Sequence, residues 1–140
     1  LYVLNSGTGE LGWVETADKA QDAKFHVVAF CPGFVRGLGF HGKFAFVGLS
    51  KPRYERFEGL ALDKKLADAD SEAWCGVQVI DTRNGNVVQW IRFTGEIREL
   101  FDVFTLPGVK NPMATGLLDP TIQSLITIED WDEADKPASA

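Results

Sequence analysis

The segment VLNSGTGEL at residues 3–11 returns as VIDTRNGNV at residues 79–87, an offset of 76 residues. A second segment, CPGF at residues 31–34, returns as LPGV at residues 106–109, an offset of 75 residues. Two unrelated segments that recur at nearly one spacing indicate a duplicated supersecondary unit. The repeat therefore decides the fold class before any single residue is considered.

Each copy of the first segment has the pattern of a β-hairpin. An apolar run leads into a turn closed by Gly9 or Gly85, and a second apolar run follows. Glycine accepts the positive φ that such a turn demands, so the glycine explains the repeat. The second segment predicts a strand in each copy, over residues 25–30 and 100–106, and both runs stop at Pro-Gly.

Further strands are predicted at residues 35–40 and 44–49, around a turn at 41–43, with a weaker counterpart at 125–128. One unit thus holds about four strands. Tandem four-stranded antiparallel units are typical of a β-propeller, whose blades run roughly 40–50 residues. We therefore predict an all-β, mainly antiparallel fold containing about two blades of a β-propeller-like domain.

The repeat is longer than one blade because of an insertion at about residues 51–74. Pro52 interrupts the strand pattern there, and leucines spaced among charges predict one or two short helices over a blade edge or the top face. The propeller-like domain is expected to span residues 1–129, and an acidic flexible tail residues 130–140. Since propellers use roughly four to eight blades, we expect a fragment of a larger ring.

Composition excludes some classes of function. The net charge of −6 argues against a nucleic-acid partner, which requires a basic patch. No apolar stretch approaches the roughly 20 residues that a membrane-spanning helix needs, and the cytoplasm is the default compartment. Cys31 and Cys75 lie in apolar strand contexts typical of buried free thiols, although one disulfide stays open. No cofactor is predicted.

Residues 7–12 match the dinucleotide fingerprint GxGxxG and follow a predicted strand. The fingerprint binds a pyrophosphate only where a helix begins at the glycines. Here the pattern continues as a strand, and the second copy keeps only Gly85 in place of Gly9. We interpret the motif as a hairpin turn.

The cluster SKPRYER at residues 50–56 carries the most functional polar groups in the chain, at the junction of a strand and the insertion. Lys51, Arg53 and Arg36 could form a cationic pocket for a carboxylate or a phosphate. The alternative is that these cations pair with nearby acids, namely Glu55, Glu58 or Asp63, and brace the insertion.

Metal and catalytic chemistry have weaker support. Two histidines, His26 in a strand and His41 in a turn, provide neither a zinc spacing nor a Ser-His-Asp arrangement. Oxygen ligands for a hard cation could come from four residues: Asn5, Asp81, Asp102 and Asp119. Asn5 and Asp81, however, share one repeat position before the turn, where bonding to the turn backbone explains them.

Trp131 stands among carboxylates in the tail, at residues 129–135. A tryptophan among acids is a candidate partner-docking motif. The alternative is that it covers a blade edge.

Several motifs also resemble a known family: residues 46–53 (FVGLSKPR), 75–81 (CGVQVID), 99–103 (ELFDV), 106–109 (LPGV) and Pro112-Met113. They resemble, in order, an uncharacterised bacterial family of propeller-like domains, described as a conserved domain of unknown function and sometimes joined to tetratricopeptide repeats. The resemblance covers most of residues 1–129 and implies that the chain is the C-terminal part of that domain. It carries over no catalytic residues.

Two functions follow as hypotheses. The first is a non-catalytic binding or scaffolding module that acts through loops on the blade face. Its partner would be a protein, the remaining blades of the propeller, or other copies in an oligomer. The alternative is a propeller-type metal-dependent hydrolase or lactonase with its site in the central channel.

Overall fold

The computed structural model of the chain describes residues 1–15, 23–116 and 118–120. This part of the chain contains seven strands and one helix: β1 (Tyr2–Asn5), β2 (Glu10–Val14), β3 (Phe25–Phe30), β4 (Phe34–His41), β5 (Phe44–Ser50), α1 (Ala61–Asp68), β6 (Cys75–Asp81) and β7 (Val87–Phe93).

The strands form two antiparallel sheets. β1, β2 and β3 make a three-stranded sheet in chain order, and β4, β5, β6 and β7 make a four-stranded sheet, also in chain order. Each strand therefore pairs with its neighbour in sequence, as short hairpin connections favour. The predicted all-β, mainly antiparallel class is confirmed, together with one short helix in the insertion.

Both copies of the repeated segment are hairpins, β1–β2 and β6–β7. Gly9 has φ +66° and Gly85 has φ +75°, the left-handed region that glycine enters without steric cost. A Cβ on Gly9 would also lie 2.7 Å from the carbonyl oxygen of Cys31. After Gly9 the chain enters β2 at Glu10, so no helix begins at the GxGxxG motif.

The main hydrophobic core consists of apolar side chains from both sheets. It is made of Leu11, Ala29, Cys31, Val35, Ala45, Val47, Leu49, Trp74 and Ile80. Cys31 and Cys75 are buried free thiols, as predicted, and burial raises the pKa of the Cys31 thiol to about 12.

Helix α1 lies within the predicted insertion. Leu62 and Leu66 are buried with Phe57 in a second, smaller core, and Phe30 and Phe34 of the sheets pack against it. The backbone N–H of Leu62 donates to the carbonyl of Gly7 at 2.9 Å. The insertion is thereby attached to the turn of the β1–β2 hairpin.

The predicted strand at residues 100–106 is wrong. Its counterpart β3 pairs with β2, but this segment crosses β4 and β5 without joining a ladder. A Cβ on Gly37, Gly39 or Gly48 would lie 2.2, 3.2 or 2.8 Å from atoms of Val103. The three glycines leave room for Val103 against the sheet, a close packing that strand periodicity does not reveal.

The chain divides into two compact units, Leu1–Pro107 and Gly108–Ala140. All the strands and α1 belong to the first unit. The described residues of the second unit, 108–116 and 118–120, contain no helix or strand. The predicted strand at 125–128 and the predicted tail lie outside the described residues. No helix among the described residues is long and apolar enough to cross a membrane.

Candidate functional site

Arg36 is positioned by an irregularity in the β4–β5 ladder. The register shifts between Arg36 and Leu38, and Gly37 between them has φ +71°. A bulge of this kind turns a side chain away from the regular alternation of the strand. The Arg36 guanidinium lies 4.9 Å from the ring centre of Phe34 and 5.2 Å from that of Phe101.

Glu99 joins two of the three predicted cations. Arg53 donates to both of its oxygens, from Nε at 2.9 Å and from Nη2 at 3.2 Å. Arg36 donates to Oε2 from Nη1 at 3.2 Å. The hydrogen bond from Arg53 is the largest of the effects that hold the pKa of the Glu99 carboxyl below its usual value. Glu99 therefore stays ionised and orients both guanidinium groups.

Lys51, the third predicted cation, is bonded through its backbone to the residue that precedes Glu99. The N–H of Lys51 donates to the carbonyl of Arg98 at 2.8 Å. Within the described residues, the Lys51 ammonium makes neither a hydrogen bond nor an ion pair. Lys51 is thus held beside Glu99 with its charge available to a ligand.

These side chains line one cavity of about 240 Å³, which we call the Arg–Lys cavity. Its lining consists of Phe34, Arg36, Ser50, Lys51, Pro52, Arg53, Tyr54, Phe57, Glu58, Leu60 and Glu99. Glu58 is itself paired with Arg56 at 3.7 Å. The lining therefore holds three cations and two carboxylates, an excess of one positive charge although the chain is acidic. Arg36 and Arg53 share Glu99, and Lys51 is left unpaired within the described residues.

The predicted local brace has a different partner from those expected. Arg53 pairs with Glu99, whereas Asp63 accepts a hydrogen bond from the backbone N–H of Phe57 at 3.0 Å. The ion pair connects the insertion to the segment after β7. Ser50 reinforces this connection, since its hydroxyl and the backbone of Leu100 exchange two hydrogen bonds at 3.0 and 3.1 Å.

Comparison with known protein families assigns the chain to one of them. A profile of one family, a domain of unknown function (DUF4915), matches residues 1–115. The chain belongs to this family. The predicted resemblance to an uncharacterised domain family is thereby confirmed, and the match includes all five charged residues of the Arg–Lys cavity. No curated protein and no solved structure matches the chain.

The DUF4915 chain has a second, larger cavity along residues 51–57. Its volume is about 670 Å³, and it shares Lys51, Arg53 and Tyr54 with the Arg–Lys cavity. Arg98 and Glu72 are among its other lining residues. Its lining holds four basic and three acidic residues, an excess of one positive charge that equals the excess in the Arg–Lys cavity. The smaller cavity differs in that two of its guanidinium groups converge on Glu99.

The other candidate site residues from the sequence are not among the described residues that line the Arg–Lys cavity. Trp131 lies outside the described residues. Asp81 accepts hydrogen bonds from the backbone and the guanidinium of Arg83, which hold the pKa of its carboxyl well below the usual range. This is the predicted role in the turn. In the described part of the chain, no group of three or more His, Cys, Asp or Glu residues could hold a metal ion.

Glu99 is the residue that sequence reasoning missed. It lies 63 residues after Arg36 and 46 after Arg53 in the chain. Its place depends on the course of residues 98–105, which the strand pattern did not predict. A glutamate just before an apolar segment gives no signal by which to connect it to distant arginines.

Proposed function

We propose that this DUF4915 domain is a non-catalytic binding module that holds an anionic group, a carboxylate or a phosphate, in the Arg–Lys cavity. The observation that supports the proposal is the convergence of Arg36, Lys51 and Arg53 on one cavity, in which the two arginines share Glu99 and Lys51 is unpaired within the described residues. Two guanidinium groups and an ammonium in one concave site suit an anion's oxygens.

The electrostatics assign the cations different tasks. Lys51 has an unpaired charge, so it makes the first contact with the ligand. Arg36 and Arg53 are held in orientation by Glu99, so little side-chain entropy is lost when a ligand contacts their remaining N–H groups. Phe34 and Phe57 give the cavity an apolar wall that excludes water from these contacts.

In the same proposal the two sheets are blades of a larger propeller, and the binding loops lie on its face. The four-stranded meander β4–β7 has the strand number and order of one blade. Further blades, tetratricopeptide repeats or another protein would then be the partners of the module. Trp131 remains the candidate for docking such a partner.

The test is a titration of the 15N-labelled chain with sodium succinate and, separately, with sodium phosphate. We expect the backbone amide resonances of Lys51 and Glu99 to shift at millimolar ligand. Lys51→Met should weaken binding about tenfold, because it removes a charge-assisted contact while keeping the length of the side chain. The ligand that binds more tightly identifies the anion class.

The matched control is Lys24→Met, which removes an equal charge from an exposed lysine that does not line the cavity. It should leave both titrations unchanged. If neither anion shifts these resonances, or if the two variants weaken binding equally, the site is wrong.

A further inference from the structure

A separate cavity of about 200 Å³ lies beside the β6–β7 hairpin. It is lined by Pro32, Trp74, Gln78, Val87, Trp90 and Arg92, and it shares no residue with the Arg–Lys cavity. The backbone N–H of Trp74 donates to the carbonyl of Pro32 at 3.2 Å, which fixes two of its walls together. Main-chain bonding therefore holds part of its wall together.

Gln78 is the unexplained group of this cavity. The residue is only 6% exposed, and within the described residues the buried Oε1 of its carboxamide has no hydrogen-bond partner. A buried amide without a partner destabilises a fold, and such groups are rare in native proteins. A ligand or a water molecule in the cavity would satisfy it.

The register of β6 and β7 places an aromatic side chain beside the Gln78 carboxamide. Trp90 of β7 is the direct cross-strand partner of Gln78, so the two side chains lie on the same face of the sheet. Trp90 is 56% exposed, an unusual state for so large an aromatic residue in a strand. Its ring offers a flat apolar face next to a polar group that can both donate and accept.

The charge of the cavity restricts the class of ligand that it can bind. The guanidinium of Arg92 lies 5.2 Å from the ring centre of Trp74. That arrangement already places a cation on one tryptophan, so a second cation would be repelled at this short range. The cavity also contains no carboxylate among its described lining residues. A methylated ammonium group is therefore disfavoured.

We propose that this cavity binds one ring of a neutral saccharide. A pyranose ring has an apolar C–H face that can stack on Trp90. Its hydroxyls donate and accept as the Gln78 carboxamide does, and Arg92 can donate to another hydroxyl. The volume is below that of pockets for drug-sized ligands, so it suits a single ring, with the rest of the glycan outside.

The proposal is tested on the 15N-labelled chain with cellotriose, maltotriose and N,N′-diacetylchitobiose. At least one of them should shift both the side-chain amide resonances of Gln78 and the indole N–H resonance of Trp90. Trp90→Ala should weaken binding about tenfold, as expected for one lost aromatic contact. Gln78→Leu should abolish the shift of the Trp90 indole resonance. The variant should still fold, because it replaces an unpartnered amide with an apolar group of similar size.

Ile91→Ala is the matched control. Ile91 is an exposed apolar residue of β7, and its side chain lies on the opposite face from that of Trp90. The control should bind like the wild type. Absence of a shift with all three saccharides would mean that water alone satisfies Gln78, and the proposal would fail. It would fail equally if tetramethylammonium chloride, but no saccharide, shifted these two resonances.

Discussion

At the scale of single residues, one carboxylate determines the chemistry of the Arg–Lys cavity. Glu99 holds Arg36 and Arg53 in place but also neutralises part of their charge. Its side chain is 24% exposed, so solvent screens this pairing only in part. Glu99 therefore acts both as a support for the site and as a competitor of any anionic ligand.

The substitution Glu99→Gln should separate these two effects. It keeps the shape of the side chain but removes its charge, so phosphate or succinate should bind more tightly to the variant than to the wild type. The gain in affinity is measured by the same NMR titration. If Arg36, Arg53 and Lys51 contact one ligand, adding Lys51→Met to Glu99→Gln should remove this gain. A weaker affinity in Glu99→Gln would contradict the competition and show that orientation dominates.

The same pair predicts a dependence of stability on pH. Because the folded-state pKa of Glu99 lies below the ordinary value of 4.5, the pairing stabilises the fold fully above that pH. The stabilisation is lost as the pH falls through the lowered pKa, where the carboxyl becomes protonated. Urea unfolding of the wild type and of Glu99→Gln should be measured as the pH falls below 4.5. The free energy of unfolding should decrease more steeply with falling pH in the wild type than in Glu99→Gln. Equal slopes would contradict the pairing.

At the scale of elements, the sequence predicted the pieces better than their partners. The hairpins around Gly9 and Gly85 and the helical insertion were predicted because local turn chemistry and leucine spacing set them. The course of residues 98–105 was not, since it depends on space left by glycines in β4 and β5. Arg36, Lys51 and Arg53 were predicted as a group, whereas Glu99 comes from that unpredicted segment.

Helix α1 supplies a prediction at this scale. Leu62 is fully buried against the β1–β2 turn, so Leu62→Ala should lower the free energy of unfolding by about 2–5 kcal/mol. Lys64→Ala on the exposed side of the same helix removes only a surface pair with Asp68, and should cost less than about 1 kcal/mol. Chemical denaturation of both variants measures the difference. Similar losses would show that α1 adds little to the fold of the sheets.

At the scale of the whole molecule, the four-stranded sheet has an open edge. β7 pairs with β6 on one side and, within the described residues, with no strand on the other. Its apolar side chains Val88, Trp90 and Ile91 are largely exposed. Edge strands of this kind template pairing with another strand unless something covers them. This is the edge at which a second copy of the chain would add a strand.

Hydrogen exchange can test whether that edge is open in the isolated chain. Amides of β5, which pairs on both sides, should exchange slowly, while alternate amides of β7 should exchange much faster because they face solvent. Raising the protein concentration should slow β7 selectively if copies pair through it, with β1 as an edge-strand control. If β7 is as protected as β5 even at the lowest concentration, its edge is covered within the chain. Pairing of copies through β7 would then be excluded.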